Sequence, residues 1–175
     1  QLMTKRVLIF ANTSWYIYNF RRGLIHALLD DGHEVVAIAP RDEYSDLISD
    51  LGCLFVPITM DNKGTSPLRE ASLLLHIYKF LSQFRPDIVF TFTIKCNIYT
   101  CMVASLLAMP VAPNVSGLGT AFMEVGWLNK IVRLLYRFAF RHPKTVFFQN
   151  CDDQEMFQKL KLATPSQSQL LPGSG

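Results

Sequence analysis

Three observations predict a doubly wound α/β domain with a mainly parallel sheet of about six to seven strands and helices on both faces. Half of the residues are hydrophobic and only 18% are charged, as expected when strands are covered on both sides. Short apolar runs alternate with helix-period stretches along the chain, which is the pattern of βαβ units. At 175 residues the chain is long enough to bury one such core. The sheet is expected to be Rossmann-like, with right-handed crossovers.

The first strand is the apolar run 6–11, bounded by polar residues. The stretch 12–18 reads as a loop. Asn19 is then the expected N-cap of a helix carrying Leu24, Leu28 and Leu29 and ending at Asp31 and Gly32. The second strand is 34–39, stopped by Pro40, and a short helix over 44–51 closes at Gly52 before a third strand at 53–58. The polar segment 61–67 is a loop. A helix from Pro67 to Phe84 carries its proline in the first turn, where it is tolerated. It stops before Pro86, ahead of a strand at 87–92. A helix from about Asn97 to Ala108 leads into a strand at 111–115. Then come a helix from Trp127 to Arg141, a strand at 145–148, a helix over 152–160, and the start of a seventh strand at 169–171. Residues 1–170 are expected to form the domain. The Pro-Gly turn that follows is expected to open, over 171–175, a link to a second domain.

Composition excludes several roles. A formal net charge of +3 is too small to point to nucleic acid. Residues 96–123 carry no charge, but Pro110, Pro113, Gly117 and Gly119 break the stretch, so it reads as a buried crossover and not a membrane span. Cys53, Cys96, Cys101 and Cys151 lack zinc-ribbon or CxxC spacing and are expected as reduced thiols of a cytoplasmic protein. His26, His33, His76 and His142 lack metal-binding spacing, and no loop pairs two carboxylates as an acid/base couple. No metal is expected.

In open parallel sheets, ligands lie beyond the carboxyl ends of the strands, near the reversal of strand order. The loops there begin near Asn12, Arg41, Thr59, Thr93, Ser116 and Asn150. The first has no glycine, which argues against a dinucleotide. Its Ser14, Trp15 and Tyr16 offer hydroxyls and two aromatic rings that suit a sugar or a flat apolar surface, or the rings simply cover the edge of the core. Thr93, Lys95 and Asn97 suit an anion or a hydroxyl; a solvated lysine is the plainer alternative. Ser116, Gly117, Gly119 and Thr120 permit close backbone approach to a ligand, or form an ordinary turn. Trp127, Lys130, Arg133, Arg137 and Arg141 lie on a helix with no acid. Lys130, Arg133, Arg137 and Arg141 make one basic stripe beside Trp127 and other apolar residues, suited to an anionic lipid surface or to a crossover helix packed on the sheet.

Ser14-Trp-Tyr with Asn19-Phe-Arg21, Gly32-His-Glu-Val-Val36, Arg85-Pro-Asp-Ile-Val89, Ser116-Gly-Leu-Gly119 and Leu171-Pro-Gly-Ser-Gly175 occur in this order. The series resembles the N-terminal domain of bacterial family-4 retaining glycosyltransferases of GT-B architecture, of the kind that build capsular, O-antigen and other surface polysaccharides. The resemblance implies an acceptor-side domain facing a C-terminal donor domain, with no cofactor in this chain. A nucleotide sugar, expected as a UDP-sugar, would be bound mainly by that other domain, which would also carry the catalytic residues, so this chain alone would be silent. It also implies that Ser14, Trp15, Tyr16, Asn19, Thr93, Lys95, Asn97, Ser116, Gly117, Gly119 and Thr120 surround the acceptor, a glycan on a polyprenyl diphosphate at the inner membrane face. Many relatives carry histidines about where Thr93 and Ser116 stand here. The alternatives are a non-enzymatic membrane-surface module using the basic 127–141 helix, or another Rossmann enzyme such as a sugar epimerase or reductase.

Overall fold

The computed structural model describes residues 3–62, 64–116 and 126–171. Seven strands form one parallel sheet: β1 (Arg6–Phe10), β2 (Glu34–Ala39), β3 (Leu54–Pro57), β4 (Ile88–Phe92), β5 (Val111–Val115), β6 (Val146–Phe148) and β7 (Ser168–Leu170). Their order is β3-β2-β1-β4-β5-β6-β7, so the chain reverses direction across the sheet between β1 and β4. Seven helices connect them: α1 (Ser14–Phe20), α2 (Arg22–Asp30), α3 (Ser45–Asp50), α4 (Pro67–Phe84), α5 (Ile94–Leu107), α6 (Trp127–Ala139) and α7 (Cys151–Lys159).

Alternation along the strands divides the core into two layers. Leu8, Phe10, Val36, Ile38, Val89, Val115 and Phe148 face Leu73, Ile77 and Leu81 of α4, Cys101 and Ala104 of α5, Tyr136 of α6 and Phe157 of α7. On the opposite face, Val7, Ile9, Val35 and Ala37 pack against Ile17, Ile25 and Ile48 of α1, α2 and α3. Each fully buried Ile or Phe contributes about 1.5–3 kcal/mol. The first layer is anchored by an aromatic cluster in which the Tyr136 and Phe140 rings lie 5.0 Å apart and the Tyr136 and Phe157 rings 5.2 Å apart.

Local chemistry explains the boundaries. Gly32 (φ 85°) and Gly52 (φ 105°) close α2 and α3 in the left-handed region, where glycine is favoured. Pro67 opens α4, and Arg85 ends it just before Pro86. Asn150 caps α7, its side chain accepting from Asp153 N at 2.8 Å.

Two expected boundaries are corrected. Residues 14–20 are helical, not loop: Thr13 caps α1 by accepting from Tyr16 N at 3.0 Å, and Ile17 is fully buried. Asn19 is therefore no N-cap; it lies in the last turn of α1 and donates to Trp15 O at 2.9 Å. α5 begins at Ile94, one turn before Asn97, which places Lys95 in its first turn.

Candidate functional site

The carboxyl ends of β1 and β4 lie side by side at the reversal of strand order, where the fold leaves room for a ligand. Thr93 leaves β4 with φ 77° and ψ 159°, a region almost reserved for glycine that costs a threonine about 1–3 kcal/mol. Backbone strain of this size concentrates at functional sites, and nothing in the sequence marks it.

On one flank of this crevice, α1 presents an aromatic ridge. Trp15 is 46% exposed and Phe20 40% exposed, their rings edge-to-face at 5.4 Å, with Tyr16 at 5.3 Å from Phe20. Asn19 lies on the same helix, one turn from Trp15. Phe20 is a residue that a loop reading of this segment misses; helical spacing pairs Tyr16 with Phe20 at i, i+4. Ser14 plays a different part. It is fully buried, its Oγ donating to Pro40 O at 2.6 Å and lying 3.0 Å from Ser45 Oγ, so it clamps α1 to the loop after β2.

On the other flank, Lys95 is engaged rather than solvated. Its ammonium donates to Glu70 Oε1 at 2.6 Å, Gly64 O at 2.7 Å and Asp61 O at 2.5 Å, which accounts for its three donors. Glu70 is the carboxylate that offsets a cation in the first turn of α5. The pair joins α4 to α5, the same ammonium ties Asp61 and Gly64 to α5, and Asn62 donates to Asn12 O, just past β1, at 3.1 Å. Burial, and secondarily the Glu70 carboxylate, push the Tyr99 phenol well above its ordinary range.

Asn97 is likewise internal. It is 1% exposed, accepts from Thr91 Oγ1 at 2.7 Å and donates to Asn114 O at 2.9 Å, bracing β4 against β5 beneath the crevice. Lys95, Asn97 and Ser14 thus brace this edge from within, and the Thr93 hydroxyl is buried as well, whereas Trp15 and Asn19 are exposed on α1 and Tyr16 is half-buried. Ser116 is half-buried at the end of β5; Gly117, Gly119 and Thr120 lie outside the described residues. Cys96, in the first turn of α5, is no nucleophile. Burial pushes its thiol up to about 12, outweighing the Thr93 hydrogen bond and the Lys95 charge that would lower it.

The basic helix divides into two faces. Tyr136 and Ala139 are buried, whereas Ile131 (44%), Leu134 (62%) and Phe138 (58%) form an exposed apolar ridge at i, i+3, i+7. Lys130 and Arg137 are exposed on the same helix, and Arg141 is exposed just past its end. Arg133 is half-buried, so the cations are not one uniform stripe. Arg137 also donates to Leu160 O at 3.1 Å. The side chain of Trp127 lies outside the described part. No helix among the described residues is long and apolar enough to cross a membrane. Among the described residues, no three His, Cys, Asp or Glu side chains are grouped to hold a metal.

Comparison with known proteins bears on the fold and the family. A curated relative, the N,N'-diacetylbacillosaminyl-diphospho-undecaprenol alpha-1,3-N-acetylgalactosaminyltransferase of Campylobacter jejuni, is 27% identical over 151 residues, covering 83% of this chain and 40% of its own length. A glycosyltransferase from Rickettsia africae superposes with a TM-score of 0.73 at 10% identity, over 98% of this chain and 43% of its own. The UDP-GlcNAc 2-epimerase of Methanocaldococcus jannaschii superposes with a TM-score of 0.60 at 20% identity, over 90% of this chain and 41% of its own. The chain therefore spans less than half the length of each of these proteins. The fold is shared by transferases and an epimerase, so fold alone does not choose between them. The sequence model described as "Glycosyl transferase 4-like" does, matching residues 6–150: the chain belongs to that glycosyltransferase family.

Proposed function

We propose that this chain is the acceptor-side half of a glycosyltransferase that moves a sugar, with retention, from a nucleotide-sugar donor to a glycan carried on a polyprenyl diphosphate at the inner face of the membrane. The donor, a UDP-sugar in this reading, and the groups that stabilise its departing diphosphate belong to a second domain that follows residue 171. The acceptor half contributes positioning: holding the acceptor hydroxyl in line turns a bimolecular encounter into an oriented one. Trp15 and Phe20 give the glycan a ring face, and the exposed amide of Asn19 beside them gives it a hydrogen bond. A product built this way suits a surface polysaccharide.

The observation that carries the reading is α6. An exposed ridge of Ile131, Leu134 and Phe138, with Lys130, Arg137 and Arg141 nearby, matches a helix that lies in the interface of an anionic bilayer. The printed name of the Campylobacter relative, a transferase acting on a diphospho-undecaprenol-linked sugar, supports the same acceptor class.

Flotation with phosphatidylglycerol and phosphatidylcholine vesicles tests it. The chain is expected to float with the anionic vesicles only. The doubly substituted Leu134→Glu, Phe138→Glu chain is expected to lose at least about tenfold in partitioning, since two exposed apolar side chains that would enter the bilayer, and their transfer energy, are removed. A chain that stays at the bottom of the gradient with both lipids contradicts the membrane part of the reading.

A further inference from the structure

An open groove lies at the amino edge of β6 and β7, where α6 and α7 end. Its volume is about 650 Å³, and Arg137, Arg141, Lys144 and Lys161 all line it. Among the described residues, no aspartate or glutamate lines it. The four cations are exposed, and none enters an ion pair among the described residues.

Helix ends attract cations, yet these ends are already served by the backbone. Phe140 N, Arg141 N and His142 N donate to Tyr136 O, Phe138 O and Ala139 O, and Lys161 N and Leu162 N donate to Gln158 O and Phe157 O. Arg137 gives one Nη to Leu160 O at 3.1 Å, which fixes its guanidinium and leaves further N–H groups over. Arg137 and Arg141 stand at i, i+4, so the cluster repels itself until an anion enters. The floor is built in advance. Gln167 Nε2 donates to Phe140 O at 3.0 Å and Pro143 O at 2.8 Å, and its Oε1 accepts from Thr164 N at 2.8 Å. These bonds tie the turn before β7 to the turn before β6, so the cations stand on a frame that binding need not order.

Position indicates where the anion comes from. Arg137 directly precedes Phe138, and Arg141 follows it by three residues, so the groove adjoins the end of the exposed Ile131, Leu134, Phe138 ridge. With that ridge sunk to the acyl boundary, the groove lies at the level of the headgroups. It sits on the sheet edge opposite the crevice, and is a separate site from it.

We infer that this groove binds the phosphomonoester headgroup of an anionic lipid, its four cations donating to the unesterified oxygens. Four cations outnumber the single charge of a phosphodiester headgroup. A phosphomonoester brings about 1.5–2 charges near neutrality and three free oxygens. The lipid as source rests on the membrane contact proposed above, whereas the phosphate chemistry rests on the groove alone. A soluble phosphomonoester offers the same oxygens.

The test is flotation of the chain with phosphatidylcholine vesicles carrying phosphatidic acid or phosphatidylglycerol, adjusted to equal surface potential. About a tenfold preference for phosphatidic acid is expected, and the doubly substituted Arg141→Gln, Lys144→Gln chain should lose it. Attraction to any anionic surface also weakens in that chain, so the ratio between the two lipids is the readout. Backbone amides of Lys144, Thr164 and Gln167, followed by NMR during titration with glycerol phosphate, report on the groove without a bilayer. Saturable shifts are expected, in the Leu134→Glu, Phe138→Glu chain as well, and the Arg141→Gln, Lys144→Gln chain should lack them. Equal flotation with the two lipids, a preference that survives the double substitution, or amides that stay still each overturn the site. Flotation with both lipids alike leaves the membrane reading standing while the groove falls. Saturable glycerol phosphate binding by a chain that floats with neither lipid removes the membrane reading and, with it, the lipid as ligand.

Discussion

Two cations are drawn into the carboxyl edge of this sheet, on opposite faces of β4, and the protein treats them differently. Lys95 has a full set of acceptors in Glu70, Asp61 O and Gly64 O. Arg21 has two aromatic rings, one tyrosine hydroxyl and a bare Nε. A charge whose donors are all met holds structure together, and here it pins α4, Asp61 and Gly64 to α5. A charge left short of acceptors rests instead on ring stacking and a single hydroxyl. The position of a cation near a helix start does not distinguish these roles; its partners do.

The contrast makes ordered predictions for thermal unfolding. Glu70→Ala breaks a pair whose side chains are 22% and 16% exposed, and is expected to cost about 3 kcal/mol, at the lower end of what stripping a buried charge of its partner costs. In a domain of this size that lowers Tm by roughly 6–12 °C. Arg21→Met removes a charge without orphaning a carboxylate and keeps the ring contacts, so it should cost at most about 1 kcal/mol. If Arg21→Met proves the more damaging of the two, the guanidinium is structural and the contrast fails. Thr93→Gly sharpens the picture from the other side. It relieves the strained φ of 77° and is expected to stabilise by about 1 kcal/mol, strain relief exceeding the entropy of the added glycine. It should at the same time loosen the rim that the crevice relies on. An unfolding curve for Thr93→Gly shifted downward would mean that the threonine side chain contributes more than its backbone costs.

How much of this was legible in the sequence depended on whether the signal was local. β1, β2, β4 and β5 stand out because each is an apolar run with a proline, a glycine or a charge at its margin. The stops at Gly32 and Gly52 could be placed because only glycine tolerates those dihedrals readily. α1 was hidden: Trp, Tyr, Ile and Phe have modest helix propensity, and the helix exists because Thr13 caps it and Ile17 is buried, a tertiary decision. The direction in which a polar residue points is also non-local. Ser14, Lys95 and Asn97 have the right chemistry for a ligand, yet their partners Pro40, Glu70 and Asn114 come from distant segments that no spacing rule connects. The same holds for Arg21: the sequence singles it out in Asn19-Phe-Arg21, but its stacking on Phe92 joins segments that no spacing rule connects.

The claim on which the functional account turns is that this rim grips an acceptor glycan rather than a nucleotide sugar. Saturation-transfer NMR on the chain, with a polyprenyl-diphosphate-linked disaccharide and a panel of UDP-sugars offered separately, addresses it most directly. Strong transfer to the sugar rings of the lipid-linked glycan, lost when Trp15 and Phe20 are both replaced by alanine, is the expected result. Strong transfer to the uridine and sugar of the donors, with none to the glycan, would contradict the account.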